Sequence, residues 1–150
     1  MDPVQALTAF FDAIVSGCLE EVTAMYRPGS TTYVFVEGPR WSTRGYEQVA
    51  AGWRAYLNSP IRITHWQWSE GPLSEVWSDS AFIAGLLDLH VCIGETSRTV
   101  RLRATFVLHR DPDNQWQIVH EHVSQPMVDP YGIGDWLEIA NDASSNGPLA

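Results

Sequence analysis

Residues Trp116–Pro126 read W-Q-I-V-H-E-H-V-S-Q-P, a strand in which neighbouring side chains differ in chemistry. With a strict period of two, Trp116, Ile118, His120, His122 and Ser124 share one face, and Gln117, Val119, Glu121 and Val123 share the other. The turn Asp111-Pro112-Asp113-Asn114-Gln115 precedes it, and before that runs a second strand ending R-A-T-F-V-L-H-R. A hairpin of this length with one apolar face needs a cover for that face, and the helical signals all lie earlier in the chain.

Those helices are readable. Asp2 suits an N-cap, Pro3 the first helical position and Gln5 the capping-box partner, with Val4, Leu7, Phe11 and Ile14 as an apolar stripe widened by Phe10. Gly17 interrupts it; Leu19, Val22 and Met25-Tyr26 continue as a short second helix stopped by Arg27-Pro28-Gly29. Thr31–Glu37 is β-rich, Tyr33, Phe35 and Glu37 alternating with Val34 and Val36, and Gly38-Pro39 ends it. A third helix is expected from about Arg44 to Asn58, its stripe formed by Tyr46, Val49, Ala50, Trp53 and Leu57. The rest reads as a meander: Ile61–Glu70, Leu73–Trp77, Ala81–Ile93, Ser97–Arg110 and Gln115–Gln125. Asp135–Ala140 is compatible with one helical turn. We expect a single domain over residues 1–140 and a flexible tail over 141–150.

Helices followed by antiparallel strands imply an α+β fold, with N-terminal helices packed on one face of a strongly curved, mainly antiparallel sheet. Such curvature leaves a hollow suited to a ligand. The net charge of -9 disfavours nucleic acid and anionic membrane surfaces as partners. No basic-then-apolar leader or membrane-length apolar run is present, and Cys18 and Cys92 lack CxxC spacing, so we expect buried free thiols and a cytoplasmic location. Seven tryptophans point to a filled core, an aromatic pocket wall or an interface.

The segments F-F-D-A-I-V-S-G-C-L-E-E-V-T-A-M-Y, V-F-V-E-G-P, G-Y-E-Q-V-A-A-G-W and the T-F-V-L-H-R…W-Q-I-V-H-E-H-V-S-Q-P hairpin, taken in order, resemble the NTF2-like (cystatin-like) superfamily. The resemblance covers about residues 4 to 127 and is closest to the SnoaL-like group. It extends to the association (hub) domain of calcium/calmodulin-dependent protein kinase II. It implies a cone-shaped fold and a pocket between helices and sheet, but little chemistry, because the group includes polyketide cyclases and dehydratase- and isomerase-like enzymes. The hub domain's pocket arginines would fall on Leu87, Phe106 and Val123 here, all apolar, so carboxylate binding does not carry over.

The same comparison makes the face bearing Leu87, Phe106 and Val123 the helix-covered one, matching the apolar rows Leu87-Leu89-Val91-Ile93 and Leu102-Ala104-Phe106-Leu108. Glu121 is the ionisable residue of that face, continued by Val119 and Val123. In an apolar hollow its pKa should rise, as befits an acid or base; the alternative is a carboxylate satisfied by an Arg, Tyr or Trp donor. Phe11, Tyr33, Trp53 and Tyr56 are expected as pocket wall, with Trp66 or Trp68 opposite; plain core packing is the competing role for each. The other face carries Asp88, His90, Arg101, Arg103, Thr105, His120 and His122. His120-x-His122 is compatible with a metal site, but relatives of this fold pair their sheets through this face. We therefore assign His90, Arg103, Thr105, His120 and His122 to a homodimer interface, with the histidines bonded to Asp88 or Thr105, and expect no metal or cofactor.

Three functions fit: a binder of a small apolar molecule, a cofactor-free isomerase, cyclase or dehydratase using Glu121, and an oligomerisation or adapter module like the hub.

Overall fold

The computed structural model describes residues 1–138; the expected tail over 141–150 and the end of the Asp135–Ala140 turn lie outside them. Helix α1 spans Pro3–Ser16. The Asp2 carboxylate accepts the Gln5 N–H at 2.8 Å, the Gln5 side chain accepts the Asp2 N–H at 3.1 Å, and Gly17 closes the helix at φ 75°. Helix α2 (Leu19–Ala24) is short, and α3 runs over Tyr46–Asn58. The third helix starts two residues later than its periodicity suggests, because Thr43–Arg44 pair with Tyr33–Val34 as a small strand.

The strands are β1 (Tyr33–Phe35), β2 (Thr43–Arg44), β3 (Ile61–Trp77), β4 (Ser80–Ile93), β5 (Thr96–Arg110) and β6 (Trp116–Ser124). They form one sheet in the order β2-β1-β6-β5-β4-β3, antiparallel except for β1 beside β6. The two strands expected on either side of Gly71-Pro72 are one continuous β3. Proline is tolerated because β3 is an edge strand and the ladder shifts register there. Two further shifts, at Ile63/His65 and Trp68/Glu70, bend β3 around the helices. Gly85 on β4 makes the kink possible: a Cβ there would run into the Glu70 carbonyl and come within 3.0 Å of the Trp68 ring.

Helices α1 and α3 cover one face. Leu7, Phe10, Phe11 and Ile14 pack against Ile83, Leu87, Leu102, Ala104, Phe106 and Leu108, all buried. Full burial of a ring such as Phe106 contributes roughly 2–3 kcal/mol. The apolar row on β4 fades outward: Leu87 and Leu89 are buried, whereas Ile93 is 47% exposed. Cys18 and Cys92 are free, and both are half-buried rather than buried as expected.

On β6 the strict alternation fails. Leu108 pairs with Ile118 while Val107 pairs with His120, so Val119 is an extra residue, a bulge. Trp116 and Ile118 therefore face the core together with Glu121 and Val123, contrary to the expected parity, while His120 and His122 keep to the opposite face. No described helix is long and apolar enough to cross a membrane.

Candidate functional site: a buried carboxylate between helices and sheet

Glu121 sits mid-sheet, opposite Val34 of β1 on one side and Phe106 of β5 on the other, and is 5% exposed. Its described partner is Tyr26, whose phenol donates to Oε2 at 2.6 Å. Tyr26 is held there by its own backbone. After α2 the chain runs along β6, where the Ile118 N–H donates to the Met25 carbonyl and the Arg27 N–H to the Ile118 carbonyl, at 2.6 and 3.0 Å. Trp53, from α3, completes the relay by donating its indole N–H to the phenol oxygen at 3.1 Å. Phe10 braces both rings edge-on, 5.6 Å from Tyr26 and 5.9 Å from Trp53.

The electrostatics follow from burial. Desolvation pushes the Glu121 carboxyl up to about 7, the Glu37 carboxylate adds repulsion in the same direction, and the Tyr26 hydrogen bond opposes both. Tyr26 is pushed well above the ordinary phenol range, first by burial and then by the negative charge of Glu121, so it remains a donor at neutral pH. Glu37 lies on the loop after β1 and is exposed as a residue, yet protein around its carboxyl raises that group too. Near neutrality Glu121 can thus give or take a proton, next to a phenol that cannot.

The expected wall residues separate into groups. Phe11, Leu87, Phe106 and Val123 are buried in the core that surrounds Glu121. The Phe11 ring stacks on Trp66 at 4.8 Å and meets Trp68 and Phe106 edge-on, so rings fill the space under α1. Trp53 and Tyr56 remain half-buried on α3 with their rings 5.7 Å apart. The Tyr56 hydroxyl is taken up by the Ile63 N–H at 2.7 Å, beside the first bulge of β3. Tyr33 is not part of this group. With Val34 facing the core beside Glu121, Tyr33 turns to the opposite face, edge-on to Phe35 at 4.8 Å.

That opposite face holds the residues assigned to an interface, but with other partners than expected. Asp88 is taken by Arg101 through two bonds of 2.8 and 2.9 Å, His90 lies 3.2 Å from the Thr99 hydroxyl, and His120 Nδ1 donates to the Tyr33 carbonyl at 2.6 Å. Thr105 stands opposite His122 in register, and Arg103 reaches Ser124 and the Gln125 carbonyl. An open crevice of about 800 Å³ lies away from Glu121, at the β5–β6 turn, lined by residues of both charges including Arg27, Asp79, Arg110 and Asp111.

Tyr26 and Glu37 escape a reading by residue type. Tyr26 reads as the last apolar position of α2, and its signal was the hydroxyl, which needs a partner once buried. Glu37 reads as an alternating strand residue ahead of the Gly-Pro turn.

A model of the SnoaL-like domain family matches residues 4–128. Solved structures share the fold over most of their length. An NTF2-like superfamily protein from Salmonella enterica serovar Typhimurium LT2 superposes with a TM-score of 0.70 at 18% identity, covering 87% of this chain and 92% of its own. A protein from Thiobacillus denitrificans designated a calcium/calmodulin-dependent protein kinase type II association domain gives 0.67 at 22%, covering 83% and 95%. A ketosteroid isomerase-like protein from Erwinia carotovora atroseptica gives 0.67 at 15%, covering 81% and 93%. Likeness at these identities concerns the fold. Curated proteins offer no match.

Proposed function

The chain belongs to the SnoaL-like domain family, and from that premise we propose that it binds a small, largely apolar molecule whose one polar group meets Glu121. The observation that carries this reading is the buried Glu121 carboxyl on its 2.6 Å bond from Tyr26. Burying a carboxyl in an apolar core is costly, and a single phenol satisfies only part of its hydrogen-bonding capacity. A ligand hydroxyl or carbonyl would complete it: as a carboxylate Glu121 accepts from a hydroxyl, and as an acid it donates to a carbonyl. Half-buried Trp53 and Tyr56 mark the flank of α3 on which the ligand would lie.

A second reading, a cofactor-free isomerase, cyclase or dehydratase, is favoured by one property of the same group. A carboxyl lifted to about 7 gives and takes protons at neutral pH with little penalty, and the neighbouring phenol steadies its charged form.

A thermal-shift screen of the full chain against steroids, polyketide intermediates, terpenoids and fatty acids tests both readings. A ligand at about a hundred times its dissociation constant adds roughly 2.7 kcal/mol, readily seen as a raised melting point. The binding reading predicts a hit that Glu121→Gln weakens. Turnover of that hit, lost in Glu121→Gln, would establish the enzyme. A hit indifferent to Glu121→Gln would remove Glu121 from the function, and silence across the panel would favour an adapter.

A further inference from the structure

Beyond Ser124 the chain leaves the sheet and displays apolar side chains to solvent. Met127, Val128, Tyr131, Ile133, Trp136 and Leu137 are all exposed, from 49% for Trp136 to 91% for Val128. The segment is nonetheless shaped. Asp129 Oδ1 accepts the Ile133 and Gly134 N–H groups at 2.8 and 2.9 Å, and Asp135 Oδ1 accepts the Leu137 N–H at 2.9 Å. Ordering a segment costs conformational entropy, and an ordered segment that shows water six large apolar side chains recovers little of it.

The same chain carries an open groove of about 470 Å³ lined by Tyr33, Phe35, Val36, Trp41, His122 and Ser124. It exists because β1 stops at Phe35, opposite His122, leaving the end of β6 without a neighbour on that side. Trp41 stands over it 95% exposed.

Charge matches the two. Residues 126–138 carry Asp129, Asp135 and Glu138 and no basic residue. In a chain with nine basic residues against eighteen acidic ones, Arg44 and Arg103 touch residues that line the groove. Arg40 precedes Trp41, Arg44 lies over the Tyr33 ring at 4.9 Å, and Arg103 bonds Ser124. Two guanidinium groups thus stand beside the groove where an acidic, apolar segment would dock.

We propose that residues 126–138 of one copy seat in the Tyr33–Phe35–Trp41 groove of a second copy, reciprocally, so that the two chains exchange C-terminal arms about a twofold axis. The arm leaves β6 beside its own groove and points its apolar residues into solvent, not into that groove. A second copy offers the same groove, and the reciprocal contact closes with twofold symmetry. The exchange adds aromatic burial to one end of the face on which an interface was expected.

Sedimentation of the full chain over a concentration series tests the exchange, using Trp136→Glu in the arm and Trp41→Glu in the groove. Both positions are exposed, so each variant should keep its circular dichroism, and its melting point should fall only as far as loss of the dimer accounts for. We expect a wild-type dimer that each substitution weakens by about tenfold or more. A mixture of the two variants should dimerise more tightly than either alone, because the mixed pair keeps one intact arm in one intact groove. Four outcomes would overturn the proposal: a wild-type monomer throughout, a dimer insensitive to both substitutions, sensitivity to one substitution only, or a mixture no tighter than its components.

Discussion

The phenol of Tyr26 donates to the carboxylate of Glu121 at 2.6 Å, joining two residues 95 positions apart where the end of α2 meets the middle of β6. That bond opposes the burial that raises Glu121, and the balance between them is measurable.

Glu121 should make stability depend on pH with an unusual sign. Its pKa is raised from 4.5 to about 7, so between those values the folded chain holds a proton that the unfolded chain has lost. Raising the pH through this window therefore removes stability, up to roughly 3 kcal/mol from this group alone. Urea unfolding of wild type and Glu121→Gln should show the wild type losing ground to the variant from about pH 4.5 to 7.5. A constant difference between them would contradict the assignment.

Tyr26→Phe removes the donor to Glu121 and the acceptor for the Trp53 indole together. We expect a loss of about 1–3 kcal/mol, larger at pH 8 than at pH 5, because the charged carboxylate depends more on the bond. Combined with Glu121→Gln the cost should shrink, and a double-mutant cycle by urea unfolding would give a coupling of about 1 kcal/mol or more.

The helical and sheet parts of this structure were unequally legible. The Asp2–Gln5 cap, the Gly17 stop and the long strands β4 and β5 could be read because each depends on neighbours a few residues away. The continuity of β3 through Gly71-Pro72 could not be read, since it depends on Gly85 across the sheet giving room to Glu70. The Val119 bulge has no glycine or proline to announce it, and Trp116 and Ile118 were accordingly placed on the wrong face. Tyr33 was misplaced because the register of β1 is set by its parallel partner β6. At the site, the nature of the donor to Glu121 was foreseeable, but its identity depended on a contact between distant parts of the chain.

Gly85→Ala should be costly for a steric reason. The added methyl would meet the Glu70 carbonyl and the Trp68 ring, neither a freely moving group. Overpacking of this kind costs about 1–3 kcal/mol, to be read as a lowered urea midpoint. Gly52→Ala, on an open part of α3 with nothing near its Cβ, should instead be neutral or stabilising by a few tenths of a kcal/mol up to about 1.

Tyr56→Phe leaves the Ile63 N–H without its 2.7 Å acceptor at the β3 bulge. We expect about 1–2 kcal/mol of destabilisation. Amide hydrogen exchange at Ile63 should accelerate more than at the buried centre of β5, which locates the damage at the strand edge.

A β-strand is read two letters at a time, and Val119 acts on β6 as a frameshift. Before it, the even-numbered side chains Trp116 and Ile118 point at the helices; after it, the odd-numbered Glu121 and Val123 do. Had the frame continued unbroken, the interior would have received two imidazoles, His120 and His122, and Glu121 would have been left outside. One inserted residue thus decides whether the middle of the molecule holds an acid or a pair of bases, without changing the side chains on offer.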